Sequence, residues 1–326
     1  MNFFEELKQK ARENPKIIVF PELGLDKNGV IKEAMEQARK EGTAIPIGLT
    51  PELIEKSEKL DEFAEAYPSR KKLSTDVRRR IIKKPIVFAA MMIKQGYAHG
   101  MIAGKYETSA TVMMYVNAII GEENGKKGSA IFFREPPKEY PVFDLIACAD
   151  MVTNPNPNEE ELCKIIITSA ETFVALTGRN PTIALLSYIS GSPQLTQVVD
   201  PNIKKIMKAL ELYYQGNHTW SIHQAQVDAA LFPSVAKNKG IPLENHPADL
   251  LIGSNLLVSN IVYKLLESLI VGGNSMIVTQ GLNYPAMDLS RSDSAANIAN
   301  VTAACSVLIQ KLEAQDRFRK IDGFFL

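Results

Sequence analysis

The sequence predicts an α/β fold of two domains, in which mostly parallel sheets are covered by helices. Two observations support this prediction: short apolar runs rich in β-branched residues recur along the chain, and longer segments with apolar residues at helical spacing lie between them. The chain has 326 residues, which is enough for about two domains, each with its own core. Because ligands bind at the carboxyl ends of parallel strands, functional residues are expected in the loops that follow strands.

The alternation of strand and helix patterns extends over most of the chain. Strands are predicted over residues 16–20, 44–48, 100–104, 129–133, 182–187, 249–253 and 275–279. Helices are predicted over residues 27–41, 78–96, 159–177 and 201–214. Most of the local prolines between residues 134 and 158 lie in REPPKEYP and NPNPN, so a domain crossing is expected in that stretch.

Charge and composition exclude several classes of protein. Thirty-seven basic and thirty-seven acidic residues cancel, so no broad electrostatic field favours nucleic acid or a membrane surface. No signal peptide and no apolar segment long enough to span a membrane are visible. The three cysteines and four histidines lack the spacing of metal ligands, so no metal site is expected. The odd number of cysteines favours a reduced, cytoplasmic protein.

Residues 280–291, QGLNYPAMDLSR, form the segment with the clearest chemical signal. They follow the apolar run 275–279 and place Ser290 and Arg291 just before a helical pattern that begins at Ala295. The free N–H groups at a helix start favour an anion, and a guanidinium adds bidentate hydrogen bonds to phosphate. The alternative is a capped helix whose arginine lies in solvent, and these residues alone leave both interpretations open.

Other segments form an ordered series with residues 280–291. They are SRK at 69–71, GMIAG at 100–104, NPNPN at 154–158, LSY at 186–188 and QVDAA at 226–230. Taken together, these segments resemble the phosphate acetyl/butyryl transferase family, which exchanges the acyl group of acyl-CoA with inorganic phosphate. In that family a stretch of the form QGLxKPxNDLSRG precedes the last helix. The resemblance covers nearly the whole chain.

The resemblance implies two α/β domains with the active-site cleft between them. The second domain is inserted so that the C-terminal helix returns to the first, which gives residues 1–137 and 297–326 for the first domain and 138–296 for the second. A homodimer is also implied, with a ternary-complex mechanism that forms no covalent acyl-enzyme. Coenzyme A is expected as a substrate, and no permanently bound cofactor is expected.

Family function would apply to three matched residues: Ser290, Arg291 and Arg70. The resemblance implies that the two arginines bind phosphate and that the serine donates to the developing oxyanion. These residue types suit the chemistry, because guanidinium groups match phosphoryl oxygens and a thioester carbonyl that becomes an oxyanion needs a donor.

One departure from the family pattern concerns the catalytic base. The acetyl-type family has an aspartate seven residues after the serine, where this chain has Asn297, and an amide cannot accept the proton of the CoA thiol. Asp293 is the carboxylate left nearby, and we place it in the substrate pocket. It is either a helix N-cap or a catalytic group.

Further departures alter the expected pocket. Met114 stands where the acetyl-type pattern AVHTTADTVRP has an arginine, and it either packs in a core or lines an acyl pocket together with Asn283. The lysine that usually follows the LSY segment is missing. The small polar loop of Ser190, Gly191 and Ser192 remains there and could bind phosphate through backbone N–H groups.

The sequence therefore predicts a phosphate acyltransferase that uses acyl-CoA and phosphate, with butyryl-like or branched acyl groups rather than acetyl. The alternative is a catalytically impaired relative that binds CoA or an acyl phosphate, or that acts as a scaffold. A dinucleotide-dependent dehydrogenase is disfavoured, since the sequence has no glycine fingerprint for a dinucleotide.

Overall fold

The computed structural model describes residues 2–69, 73–190, 200–243 and 245–316. The chain divides into two compact units. The first unit consists of residues 1–123 and 277–326, and the second consists of residues 124–276. The prediction of an α/β fold with two domains is confirmed.

The first unit alternates strands with helices before and after the insertion of the second. Its helices are α1 (Phe3–Glu13), α2 (Val30–Glu41), α3 (Pro51–Glu55), α4 (Leu60–Ala66), α5 (Thr75–Ile82), α6 (Pro85–Lys94), α7 (Ser109–Ile119) and α13 (Ala295–Ala314). Its strands are β1 (Lys16–Phe20), β2 (Ala44–Gly48), β3 (Gly100–Ala103) and β10 (Ala286–Asp288).

The sheet of the first unit is parallel, with strand order β10-β3-β1-β2. Side chains of a strand alternate between the two faces. Ile17 and Val19 therefore share a core with α6 and α7, whereas Ile18 points to the opposite face, where α2 and α13 pack. All five residues of β1 are buried, as expected for a strand covered on both faces.

The second unit is also an α/β structure. Its helices are α8 (Glu159–Thr177), α9 (Pro201–Gln215), α10 (Val227–Leu231), α11 (Pro233–Asn238) and α12 (Leu256–Leu269). Its strands are β4 (Ser129–Glu135), β5 (Ile146–Ala149), β6 (Ile183–Leu186), β7 (Ile222–Ala225), β8 (Leu250–Gly253) and β9 (Asn274–Gln280), and the chain leaves the unit within β9.

The sheet of the second unit has the order β7-β6-β8-β5-β4-β9. The pairings of β6 with β7, β6 with β8 and β5 with β8 are parallel, whereas β4 and β5 are antiparallel. The prediction of mostly parallel sheets is therefore confirmed in both units.

The chain crosses between the units at positions that differ from the predicted ones. The observed crossings lie after residues 123 and 276, not after 137 and 296. The proline-rich residues 136–141 connect β4 to its antiparallel partner β5, so they lie inside the second unit. The return is earlier than predicted because β10 pairs with β3 of the first unit.

Two local predictions were wrong for identifiable reasons. The segment 78–96 is not one helix, because Pro85 holds Lys84 in an extended conformation between α5 and α6. Residues 286–288, which were not among the predicted strands, form the strand β10. Their backbone pairs in register with Met101, Ile102 and Ala103, a long-range contact that three residues cannot signal by periodicity.

Within the described residues, none of the helices combines the length and the apolar character that crossing a membrane requires.

Candidate functional site

Three neighbouring strands of the first unit end at the same edge of the sheet. Because β10, β3 and β1 are adjacent and parallel, the loops after them lie side by side. Each loop contributes a charged or polar residue two positions after its strand: Glu22 after β1, Lys105 after β3 and Ser290 after β10. This edge carries most of the candidate residues of the first unit.

Glu22 fixes the loop after β3. Its carboxylate is buried and accepts hydrogen bonds from the backbone N–H groups of Lys105 at 2.8 Å, Tyr106 at 3.2 Å and Glu107 at 2.6 Å. Three hydrogen bonds to one buried side chain therefore hold this loop firmly. Glu22 was not among the predicted site residues; its signal in the sequence was an acid two positions after a buried strand.

Lys105 joins the loops after β3 and β10. Its ammonium donates to the carbonyl oxygens of Arg291 and Asp293, both at 2.7 Å. The turn of residues 290–293 is closed by a hydrogen bond of 3.0 Å from the Asp293 N–H to the Ser290 carbonyl oxygen. Lys105 therefore holds the turn that presents Ser290 and Arg291. Lys105 was not among the site residues predicted from the sequence.

The N-cap interpretation of Asp293 was wrong. Ser294 is the N-cap of α13, and its hydroxyl accepts the Asn297 N–H at 3.2 Å. The Asp293 carboxylate turns back instead and accepts the Ser290 N–H at 2.7 Å. Asp293 therefore braces the turn and is not the cap of the helix.

Ser290 and Arg291 lie in a turn immediately before α13, as the sequence predicts. The Ser290 hydroxyl is 2.8 Å from the Ser292 hydroxyl, and Ser290 is half-buried. Arg291 is exposed, and among the described residues its guanidinium has no ion pair or hydrogen bond. Asn297 is half-buried and lies in the first turn of α13, the helix that follows this turn. A serine hydroxyl and an arginine are thus presented together.

Asp288 is a buried carboxyl group at the end of β10. One of its oxygens, Oδ1, has no hydrogen-bond partner in the described part of the chain. Its pKa is raised to about 6, mainly by burial and also by the charges of Glu22 and Asp293, whereas the Ser109 hydroxyl opposes the shift. Asp288 therefore changes its charge near neutral pH, two residues before Ser290.

Gly104 allows the loops after β3 and β10 to approach closely. Its φ of +98° is in the region that favours glycine, and a Cβ built there would lie 2.8 Å from the Leu289 nitrogen. The close approach of the two loops therefore explains why the second glycine of the GMIAG segment, Gly104, is a glycine.

Met114 and Asn283 have different surroundings. Met114 lies on α7 with 55% of its side chain exposed, so the core interpretation was wrong for this methionine. Asn283 donates from Nδ2 to the carbonyl oxygens of Ile120 at 2.9 Å and Glu122 at 3.1 Å, so its amide caps the end of α7. That contact fixes the loop after β9 whether or not Asn283 also meets a substrate.

In the second unit, Ser190 follows β6 at the carboxyl edge of the sheet. Its hydroxyl accepts the Gln226 N–H at 3.1 Å and lies 3.3 Å from Gln226 Oε1. Lys239 also donates to Gln226 Oε1, at 2.8 Å, and pairs with Asp228. A cation therefore does lie near this loop, although it comes from a different element than the sequence suggests.

Three predicted residues lie outside the described part of the chain: Arg70, Gly191 and Ser192. Across the described residues, no group of three or more His, Cys, Asp or Glu side chains is arranged to hold a metal ion. The three cysteines, Cys148, Cys163 and Cys305, are free and buried.

The fold and this strand edge define a class: α/β proteins that present polar side chains at the carboxyl ends of parallel strands. The family model described as "Phosphate acetyl/butaryl transferase" matches residues 2–306. The chain belongs to this family, and it is an acyltransferase.

Individual relatives agree with this assignment. A phosphate acetyltransferase of Acetivibrio thermocellus is 32% identical, over 96% of this chain and all of the relative. One from Thermoanaerobacterium thermosaccharolyticum is 33% identical, over 95% of this chain and all of the relative. Both alignments extend over the full length of the relative, so the similarity is not confined to one unit.

Solved structures share the fold. A phosphotransacetylase from Streptococcus pyogenes matches with a TM-score of 0.81 at 24% identity, over 95% of this chain and 98% of that one. A branched-chain phosphotransacylase from Enterococcus faecalis V583 matches with a TM-score of 0.64 at 17% identity, over 90% of this chain and 99% of that one.

Proposed function

We propose that this protein transfers an acyl group from acyl-CoA to inorganic phosphate, with a butyryl-like or branched acyl group rather than acetyl. The observation that carries the proposal is the turn of residues 290–293, which presents Ser290 and an exposed Arg291, without an ion pair among the described residues, at the start of α13. A guanidinium there suits a phosphate dianion, since its N–H groups match phosphoryl oxygens.

The reaction needs one bond made and one broken. A phosphate oxygen attacks the thioester carbonyl carbon, and the C–S bond then breaks so that CoA leaves as its thiolate. Arg291 holds the phosphate, and the Ser290 hydroxyl donates to the carbonyl oxygen as it gains negative charge. Asn297 cannot accept a proton, but a thiolate with a pKa of about 8.5 can leave without one. CoA is a substrate in this scheme, and no permanently bound cofactor takes part.

Met114 supports the choice of a larger acyl group. It is an exposed apolar side chain on α7, a helix that packs against β10 directly before the turn. Methionine adapts to irregular apolar ligands, whereas the arginine of the acetyl-type pattern would place a charge there. The proposal departs from the relatives, whose names specify acetyl.

A panel of acyl-CoA thioesters tests this proposal. Phosphate-dependent release of CoA is measured with straight and branched acyl groups from two to eight carbons, using the wild type and Met114→Arg. Greater kcat/KM for four-carbon or branched chains than for acetyl is expected, with a loss of that preference in the variant. A wild-type preference for acetyl would contradict the proposed acyl group.

The second candidate is a catalytically impaired relative that binds CoA or an acyl phosphate. Asn297 favours it, since a missing general base typically costs about 10²- to 10⁴-fold in rate. The same panel separates the two: acyl-CoA that binds, as measured by calorimetry, but releases no CoA with any acyl chain would support the impaired relative.

We also propose that two copies associate through α12. Four exposed apolar residues follow each other at every fourth position on this helix, namely Leu257, Ile261, Leu265 and Leu269, with 51–75% of each side chain exposed. Residues four apart lie on one face of a helix, so they form a stripe about 18 Å long. A stripe of this kind marks an interaction surface, and it can pair with itself about a twofold axis.

The oligomeric state of two matched variants tests the interface. Leu265→Glu places a charge within the stripe, and Leu53→Glu places one at a similarly exposed leucine of α3. By sedimentation, the wild type and Leu53→Glu are expected as dimers and Leu265→Glu as a monomer. A dimeric Leu265→Glu protein would exclude α12 as the interface.

A reduced, cytoplasmic location belongs to the same proposal. The three free, buried thiols support it, because burial raises the pKa values of Cys148, Cys163 and Cys305 and keeps these groups protonated.

A further inference from the structure

Lys105 lies two residues after β3, beside the turn that presents Ser290 and Arg291. We propose that Lys105 is a positioning residue of the phosphate site, which holds the turn of residues 290–293 so that its N–H groups and Arg291 face the anion. The inference rests on the proposed function, since it concerns the same site.

The geometry assigns one side of the turn to the lysine. Lys105 Nζ donates to the carbonyl oxygens of Arg291 and Asp293, each at 2.7 Å, and bonds from an ammonium are stronger than neutral ones. In a planar trans peptide the C=O and the next N–H point in opposite directions. The N–H groups of Ser292 and Ser294 therefore point away from Lys105. On that other side of the turn the Ser292 N–H donates to the Ser290 hydroxyl at 3.4 Å.

The lysine backbone is fixed before its side chain reaches the turn. Glu22, which is buried, accepts three consecutive N–H groups that begin with that of Lys105. Gly104, directly before it, lets the loop lie against the backbone of Leu289. Because the starting point of the side chain is held on two sides, less freedom is lost when the ammonium binds the carbonyls.

Charge gives the lysine a second role. The carboxyl groups of Glu22, Asp288 and Asp293 converge on this strand edge. The charges of Glu22 and Asp293 raise the pKa of Asp288. Carboxylates repel a phosphate dianion, so a cation within the same group of loops offsets them. Lys105 supplies that charge from the loop after β3.

Lys105→Met removes the ammonium and keeps most of the side-chain length. Lys94→Met is the matched control, since Lys94 also donates to a backbone carbonyl, that of Ile119 at 3.0 Å. Loss of a charged hydrogen bond costs roughly tenfold or more, so the KM for phosphate should rise by about that factor in Lys105→Met while the KM for acyl-CoA stays unchanged. Lys105→Arg, which keeps the charge and the donors, should recover part of the loss.

A purely structural lysine would give a different result. In that case Lys105→Met and Lys94→Met would both lower the unfolding temperature and would have the same KM for phosphate. Alternatively, Lys105→Met would raise the KM for phosphate and the KM for acyl-CoA together. Either result would overturn the inference.

Binding of inorganic phosphate separates this inference from the proposed reaction. Phosphate should raise the unfolding temperature of the wild type and of Lys94→Met. The increase should be much smaller for Lys105→Met. If the wild type binds phosphate in this way yet releases no CoA from any thioester, the reaction is wrong and the positioning role stands. If phosphate stabilises the wild type and Lys105→Met equally, the positioning role is wrong.

Discussion

Lys105 and Arg291 lie 186 positions apart in the sequence, and the Lys105 ammonium donates to the Arg291 carbonyl oxygen at 2.7 Å. The contact is possible because β3 and β10, which precede the two residues, are neighbouring parallel strands. The turn that presents Ser290 is thus held from the adjacent loop, and small changes in either loop should alter catalysis.

Ser290→Ala should lower kcat more than it changes either KM. The hydroxyl would donate to an oxyanion that exists only after attack has begun, and removing one such donor typically costs about 10²- to 10³-fold in kcat. Steady-state kinetics of CoA release measure this effect. Ser292→Ala, which removes the hydroxyl paired with Ser290, is the control and should cost much less. Equal losses in the two variants would contradict the role of Ser290.

Asn297→Asp should restore a base and change the pH profile of the reverse reaction, from acyl phosphate and CoA. At neutral pH a small fraction of the CoA thiol is ionised, so the wild-type rate should rise with pH towards the thiol pKa of about 8.5. The aspartate variant should be faster at pH 7 and depend less on pH. Parallel pH profiles for the two proteins would show that position 297 does not take the proton.

Asp288→Asn should change how stability depends on pH. The pKa of Asp288 is raised from 3.8 to about 6 in the folded protein, because burial disfavours the charged form. Between these values the Asp288 carboxyl binds more protons in the folded state than in the unfolded state, so its contribution to the free energy of unfolding decreases as pH rises. The shift corresponds to a loss on the order of 3 kcal/mol, which the variant should not show. Urea denaturation of the wild type and of Asp288→Asn at pH 4 and pH 7 measures how the free energy of unfolding changes between these pH values. An equal change in the two proteins would contradict the shifted pKa.

His99→Asn should have the opposite effect in an overlapping pH window. Burial and the charge of Lys16 lower the pKa of His99 from 6.5 to about 4, although Glu313 opposes the shift. The His99 imidazole therefore binds more protons in the unfolded state between pH 4 and 6.5, so its contribution to the free energy of unfolding decreases as pH falls.

Asparagine at position 99 keeps an acceptor for the Ile17 N–H, which the His99 Nδ1 accepts at 3.0 Å, and it removes the titration. Urea denaturation of both proteins at pH 4.5 and pH 7 checks the prediction. The stability of the wild type relative to the variant should decrease on acidification, and a constant difference would contradict it.

Local patterns predicted most of the secondary structure and part of the site. Apolar runs located β1 and β2 at their observed bounds, and helical spacing located α8 at its observed bounds. The turn before α13 was also predicted, since apolar spacing from Ala295 onward marks a helix and serine is a common N-cap. These features depend on residues close together in sequence.

The contacts that hold the turn could not be predicted in the same way. The pairing of Lys105 with the carbonyl of Arg291 depends on the order of strands in the sheet. That order requires β10, whose three residues are too few to show a strand period. The sequence left Asp293 as either a helix N-cap or a catalytic group, because its actual partner, the Ser290 N–H, belongs to the tertiary turn.

The most direct measurement is the formation of acyl phosphate from acyl-CoA and inorganic phosphate, followed by ³¹P NMR with the wild type, Arg291→Ala and Arg179→Ala. Arg179 is an exposed arginine of the second unit and serves as the control. The wild type and Arg179→Ala should produce acyl phosphate in step with CoA release, and Arg291→Ala should lose this activity with a much higher KM for phosphate. Acyl phosphate formed equally well by Arg291→Ala would contradict a phosphate site at the turn before α13, and acyl phosphate formed by none of the three proteins would contradict the proposed reaction.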